Sequence, residues 1–300
     1  MTFAGQDLYV WIADETTQGT PTNTGTASPI VDVVSVSGRG VTKEYANVRR
    51  FGDRERVGNN PLRIDEDNLS IDLTICDSNY TLLFESFDEN DTVASDSKTI
   101  IIANATDPSS ATVVEVYKGC VQVGAEVSIS NDGVMTGSVE FSRLSSTYDI
   151  NEANAGVDSY NYTAHSTITS VYVPYSDVTL TKTSGFDTAA SITSIVHEFN
   201  VSATSDIVKK FRLNGSEYPT GSVLGEYSVS GSFIIDYDNI SDFEEIIAND
   251  QDTAAVLTLT HTHGDIVING CTFESVASDA NANELITVEI SFSGNTVDFT

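Results

Sequence analysis

The sequence predicts a mainly β protein: two tandem copies of a β-sandwich or barrel domain, each with one flanking α-helix. Three observations carry that expectation. The chain repeats itself, since Arg49-Arg50-Phe51 returns as Lys209-Lys210-Phe211 and Gly119-Cys120 as Gly270-Cys271. Its apolar residues, 40% of 300, alternate with polar ones over short runs rich in Val, Ile and Thr, as half-buried strands require. Each copy also holds one stretch whose apolar residues recur at helical spacing.

The repeat sets the domains at 1–150 and 160–300, each large enough to bury a core. Residues 49 and 209 give an offset of 160, which also matches Val41 to Val201, Val48 to Val208, Ser70 to Ser230 and Asn79 to Asn239. Residues 119 and 270 give an offset of 151, shared by Phe141-Ser142 and Phe292-Ser293. The difference places nine extra residues in the first copy, after about residue 92.

Leu8 to Ile12 opens the first copy as a strand, and a Thr/Gly/Pro-rich stretch up to Ile30 reads as a loop or arm. Ser70 to Ile75 alternates as a strand should, with Ser230 to Ile235 as its counterpart. Tyr80, Leu83, Phe84 and Phe87 form a helical stripe, matched by Ile240, Phe243, Ile246 and Ile247. Asn79 and Asn239 stand where a side-chain oxygen caps a helix N-terminus. Val134 to Phe141 and Leu285 to Phe292 alternate as the last strands. Polar residues over 147–165 read as a linker, and Val171 to Val173 opens the second copy.

The net charge is −30, from 44 acidic and 14 basic residues. Plentiful, periodic apolar residues exclude disorder. So acidic a surface excludes a protein that grips DNA, because such grip comes from basic groups on phosphates. Two readings stand side by side: solubility in concentrated salt, and a surface that must not hold nucleic acid. No apolar run is long enough for a membrane helix. The first residues lack the basic start and apolar run of a signal peptide, so use without secretion by that route is expected.

Seven basic residues cluster between 39 and 63: Arg39, Lys43, Arg49, Arg50, Arg54, Arg56 and Arg63. Lys209, Lys210 and Arg212 occupy the matching region of the second copy. Interleaved acids such as Asp53 and Glu55 argue against phosphate binding there. The expectation is a basic loop that docks on an acidic neighbouring subunit, with Arg forks on carboxylates.

Chemistry of other kinds is not signalled. There is no GxSxG, P-loop, GxGxxG or HExxH pattern, so no enzyme and no cofactor is expected. Cys76, Cys120 and Cys271 read as small buried residues of a reducing compartment. His261 and His263 share one strand face, but no third metal ligand is near. Asp65-Glu66-Asp67 and Asp88-Glu89-Asn90-Asp91 lack the ligand order of a calcium loop.

The helix with its following strand (Asn239 to Leu259), the terminal segment from Ile266 to Phe292 and the basic loop together resemble the tail tube, or major tail, proteins of long-tailed viruses. The resemblance implies a structural virion subunit, placed in the tail and assembled in the host cytoplasm. For a duplicated member it implies trimeric, pseudo-hexameric rings. The rings stack into a tube that passes viral DNA without binding it and meets other tail proteins at its ends. It also implies an inner sheet lining the lumen, for which Asp72, Glu140, Ser232 and Glu289 on the polar strand faces are the candidates. The acidic, Lys-poor composition is similar to that of proteins from salt-loving archaea. An extracellular surface-layer or pilus-type protein and a virion decoration protein are the alternatives.

Overall fold

The computed structural model describes residues 8–21, 26–39, 41–48, 58–83, 87, 97–106, 111, 114–149, 161–163, 165, 170–183, 196–212, 218–236, 255–279 and 286–299. In chain order the strands are β1 Tyr9–Thr17, β2 Thr20–Pro21, β3 Thr26–Ile30, β4 Val33–Ser37, β5 Val41–Val48, β6 Gly58–Glu66 and β7 Leu69–Thr74. They continue with β8 Lys98–Ala103, β9 Val114–Ser130, β10 Thr136–Ser142, β11 Ser145–Asp149, β12 Asn161–Tyr162 and β13 Thr179–Thr183. The last are β14 Val196–Lys210, β15 Gly221–Asp236, β16 Ala255–His261, β17 Gly264–Asp279, β18 Thr287–Gly294 and β19 Thr296–Phe299. The chain is thus mainly β, as the alternating runs predict.

Eight strands pair antiparallel into one sheet in the order β4-β7-β10-β9-β14-β15-β18-β17. Alternation decides its two faces. On β7, Leu69, Ile71 and Leu73 are buried while Ser70, Asp72 and Thr74 are partly exposed. The apolar face is covered by a second layer, built from β3, β1, β8, β9 and β11 in the first half. In the second half β13, β16, β17 and β19 do the same. One apolar core holds residues of both halves, among them Leu69, Ile71, Phe141, Phe199, Phe233 and Phe292.

β9 and β17 each serve both layers, and each bends at a glycine. Gly119 and Gly270 have φ of 66° and 65°. A Cβ on Gly119 would stand 2.6 Å from the Leu144 side chain, and one on Gly270 2.3 Å from that of Asn295. Left-handed backbone and close packing together require glycine at both corners.

The pairing pattern of the first half recurs in the second, irregularities included. Cys120 faces Lys98 beside a bulge, and Cys271 faces Ala255 beside another. The β4–β7 ladder shifts between Val33 and Ser35, and the β14–β15 ladder between Val196 and Glu198. Glu140 faces Ser70 while Ser291 faces Ser232. The register therefore matches Ser70 to Ser232, two positions from the Ser230 that sequence matching pairs with it. The extra length of the first half is also divided: Lys98 and Cys120 are 22 positions apart, Ala255 and Cys271 only 16.

Four local expectations change, the first being that the stretch up to Ile30, expected as a loop or arm, holds the end of β1 with β2 and β3. Residues 80–82 form a 3-10 turn rather than the start of an α-helix, and Asn79 makes no cap bond. Asn79 is instead buried, with Oδ1 accepting from the Cys76 amide (2.9 Å) and Nδ2 donating to the Val31 and Thr74 carbonyls (3.0 and 2.9 Å). These bonds turn the side chain back toward Cys76, Val31 and Thr74 and away from the turn it was expected to cap. The matching stripe at Ile240–Ile247 lies outside the described residues.

The stretch expected as a linker starts inside β11, and its far end returns to the first half. β12 pairs parallel with β3. The Trp11 indole donates to the Thr163 carbonyl (3.1 Å), and the His165 Nε2 donates to the Val10 carbonyl (2.9 Å). Val171 to Val173 likewise bridges first-half residues, with Tyr172 opposite Cys76. The strand that matches β1 in the second half is β13, which pairs with β16 as β1 pairs with β8.

Candidate functional site

The polar face of the eight-stranded sheet is built by period-two alternation, so directly opposed residues share it. One row reads Ser35, Asp72, Ser138, Glu126, Ser202, Ser230, Ser293 and Thr272 across the eight strands. The sequence candidates Asp72, Glu140, Ser232 and Glu289 all fall on this one face, with the core on the other. Asp72 accepts from the Ser35 hydroxyl, and Glu140 accepts from the Asn68 amide at 2.9 Å. Asn200 and Ser232 hold each other across β14 and β15, at 2.8 and 3.0 Å. Where the eight strands lie side by side, the described residues of this face are mostly Ser, Thr, Asn, Asp and Glu, with neither Lys nor Arg among them. Such a surface repels phosphate and offers it no cation.

The sheet ends in two strand edges. Among the described residues β4 pairs only with β7, and Ser275–Asp279 of β17 pairs only with β18. Val34 on β4 is 68% exposed. Unpaired edges of this kind are templates for another strand. Inside the chain the corresponding edges meet: β9 pairs with β14, Ser128 opposite Asn200. By the recurring register, Ser128 corresponds to Asp279 and Asn200 to Ser37. No sequence signal pointed to these edges, since pairing partners are set by register and not by residue type.

The basic cluster is divided by the structure. Arg39 forms a two-pronged ion pair with Glu115 of its own chain. The Glu115 bond and charge raise the Arg39 pKa above its ordinary value. Lys43 and Arg63 sit in the β5–β6 hairpin, where Glu44 is opposite Arg63. Arg49, Arg50, Arg54 and Arg56 lie outside the described residues. Lys209, Lys210 and Arg212 lie at the far end of the β14–β15 hairpin. The same end exposes Val208 (64%) and, directly opposite, Val223 (42%). Gln18, in the β1–β2 turn, exchanges hydrogen bonds with Ser222 of this hairpin.

Two buried histidines are expected to make the fold sensitive to acid. His261 is 5% exposed, accepts at Nδ1 from the His263 amide (3.2 Å), and meets the Tyr80 ring edge-on. Burial, followed by the charge of His263, lowers its pKa, and Asp265 opposes the shift. Burial also lowers the His165 pKa. The fold therefore favours the neutral form of both groups, and unfolding lets them take protons more readily. Their contribution is full above the ordinary value of 6.5 and is lost as pH falls through the lowered folded values. The melting temperature is expected to fall below pH 6.5, and less steeply in His165→Asn and His261→Gln, as scanning calorimetry would show. His263 donates to the Val171 carbonyl (2.9 Å), which occupies its Nε2. Among the described residues no three His, Cys, Asp or Glu groups gather as metal ligands. All three cysteines are buried and outside any disulfide, and burial pushes the Cys271 thiol up to about 11.

A family model described as phage tail tube protein matches residues 5–294. No curated protein matches the chain. Two of the solved structures similar to it come from GTA particles. One is described as the tail of an empty GTA particle computed with helical refinement in C6 symmetry, at 14% identity and a TM-score of 0.34. The other is the virion of a native gene transfer agent (GTA) particle, at 14% identity and a TM-score of 0.33. Each alignment covers 42% of this chain and 96% of the other. With a family match that runs almost from end to end, the chain belongs to the phage tail tube protein family.

Proposed function

We propose that three copies of this chain close into a pseudo-hexameric ring, and that stacked rings form a channel for viral DNA. The observation that supports it most is the β9–β14 junction. Two halves with the same pairing pattern already meet edge to edge inside one chain, and the free edges β17 and β4 are the counterparts of that junction. We read the halves, 1–150 and 160–300, as a tandem duplication. Repeating the internal junction between chains puts Ser37 of one subunit opposite Asp279 of the next. Each chain supplies eight strands, so three chains give an inner wall of 24.

In this arrangement the polar face, with Asp72, Glu140, Ser232 and Glu289, lines the lumen and the core faces outward. Negative walls keep phosphate hydrated and unbound while DNA slides. The virion tail is the location, host cytoplasm the place of assembly, and tail proteins at the tube's ends the other partners. The charge of −30 fits a haloarchaeal virus, because salt screens the repulsion between so many carboxylates.

A paired-cysteine variant tests the ring. Ser37→Cys with Asp279→Cys is expected to give a chain-to-chain disulfide ladder that stops at the trimer. Directly opposed antiparallel positions lie within disulfide reach. Ser128→Cys with Asn200→Cys is the control inside one chain. A ladder ending at the hexamer, or no ladder beside a working control, contradicts the ring of three.

Stacking of rings is assigned to the basic hairpins. Arg49, Arg50, Arg54 and Arg56 changed to Glu is expected to leave folded chains that no longer lengthen into tubes. Sedimentation would show normal tube mass if the assignment is wrong.

A further inference from the structure

The junction between the halves has a second component besides β9–β14. Residues 171–175 lie across the first half before the chain enters β13. Tyr172 is opposite Cys76 and Pro174 opposite Val134. The Val173 amide donates to the Ile75 carbonyl (3.4 Å), and the Met135 amide donates to the Val173 carbonyl (2.8 Å). Val173 and Met135 are both fully buried. This strap closes the first half with residues that precede the second.

The register identifies the residues that stand in the same place before β1. Cys120 faces Lys98 and Cys271 faces Ala255, so Lys98 corresponds to Ala255. Four positions on, Ile102 faces Val10 and Leu259 faces Leu180. Val10 and Leu180, both buried, are therefore counterparts. Counting back equally from each, Val173 corresponds to Phe3, Asp177 to Asp7 and Val178 to Leu8. Val178 and Leu8 both pack, partly buried, against the core.

The receiving side has a counterpart too. Met135 precedes Thr136 of β10, and Ile286 precedes Thr287 of β18. Met135 is fully buried where the strap crosses, whereas Ile286 is 41% exposed. An apolar side chain is left uncovered at the place where its counterpart is sealed.

We propose that residues 1–7 of one subunit strap the second half of the preceding subunit, with Phe3 over Ile286. The inference rests on the ring proposed above. The occupant is a second copy of this chain, because its β4 is the strand matched to the open β17 edge. Its residues 1–7 then arrive beside that edge as residues 171–177 arrive beside β9. An apolar contact of this kind keeps its strength in concentrated salt, where surface ion pairs are screened.

Phe3→Cys with Ile286→Cys, oxidised in assembled full-length chains, is expected to give a chain-to-chain ladder ending at the same species as the 37/279 pair. Each single-cysteine variant controls for the native thiols. A chain-to-chain ladder from 37/279 without one from 3/286 overturns the strap and leaves the ring standing. A 3/286 disulfide inside one chain also overturns it. If neither pair links chains, the ring fails and the strap with it. Should the cysteine variants not assemble, Phe3→Asp and Phe3→Leu decide. Asp is expected to lower tube yield by about tenfold and Leu to leave it near normal. The melting temperature of unassembled chains should be alike in both, and equal tube yields overturn the proposal.

Discussion

Tubes carrying Arg in place of Asp72, Glu140 and Glu289 are expected to retain double-stranded DNA, and tubes of the unaltered protein to release it. The three positions lie on one sheet face whose described residues, where the eight strands lie side by side, include neither Lys nor Arg. Each replacement removes a negative charge and adds a positive one, on a wall that repeats around the proposed ring. Phosphate contacts by Arg give non-specific dissociation constants on the order of 10⁻⁴ to 10⁻⁶ M at physiological salt, weakening steeply as salt rises. Filter binding with short duplexes would measure the gain over the unaltered protein. The same substitutions should barely change the melting temperature, since Asp72 and Glu140 are partly exposed and Glu289 is exposed. Assembled variant tubes without any gained affinity would mean that this face is not the channel wall.

Phe292→Ala is expected to destabilise the chain by about 3–5 kcal/mol. Phe292 is 1% exposed, and its ring lies 6.2 Å from both Phe199 and Phe233. Gly231 packs so closely that an added Cβ would stand 2.5 Å from the Phe292 ring. Backbone pinned by β14 and β18 on either side of β15 has little room to close the cavity. At this chain length the loss corresponds to a melting temperature lower by roughly 10 °C. Phe141, its counterpart, is 2% exposed, and its removal should cost a similar amount. Because one core joins both halves, calorimetry should show a single transition in each variant. Two separated transitions would mean that the halves unfold independently.

Much of the fold was legible where alternation and backbone constraint act locally. Ser70 to Ile75 and Val134 to Phe141 became β7 and β10 because their apolar residues, Val134 apart, bury and their polar ones mostly do not. Gly119 and Gly270 stood out by repetition, and both proved to be corners that only glycine permits. The register of the first strands was not legible. A slip of two residues in a Ser-rich strand keeps every polar group on its own face, so Ser230 passed for Ser232.

Contacts distant in sequence were also hidden. Asn79 looked like a cap because a capping and a buried asparagine share the same local sequence. Only the fold brings Val31 to it. Arg39 read as part of an exposed basic loop, yet Glu115 pairs with it from 76 positions away. The end of the expected linker, at Asn161 to His165, read as polar and unattached because hydrogen bonds to and from the backbone tie it to the first half. Such bonds leave no mark in the side-chain pattern. The polar face was found residue by residue through alternation, while the edges that flank it required the pairing order.

Cryo-electron microscopy of tubes assembled from the purified chain in high salt would decide between a ring of three and any other assembly. Hollow tubes whose rings hold three chains each are expected. An inner wall of 24 strands should show Asp72, Glu140, Ser232 and Glu289 facing the lumen and β17 paired with the next subunit's β4. Rings of six chains, a lumen lined by other strands, or monomers and flat lattices in place of tubes would contradict it.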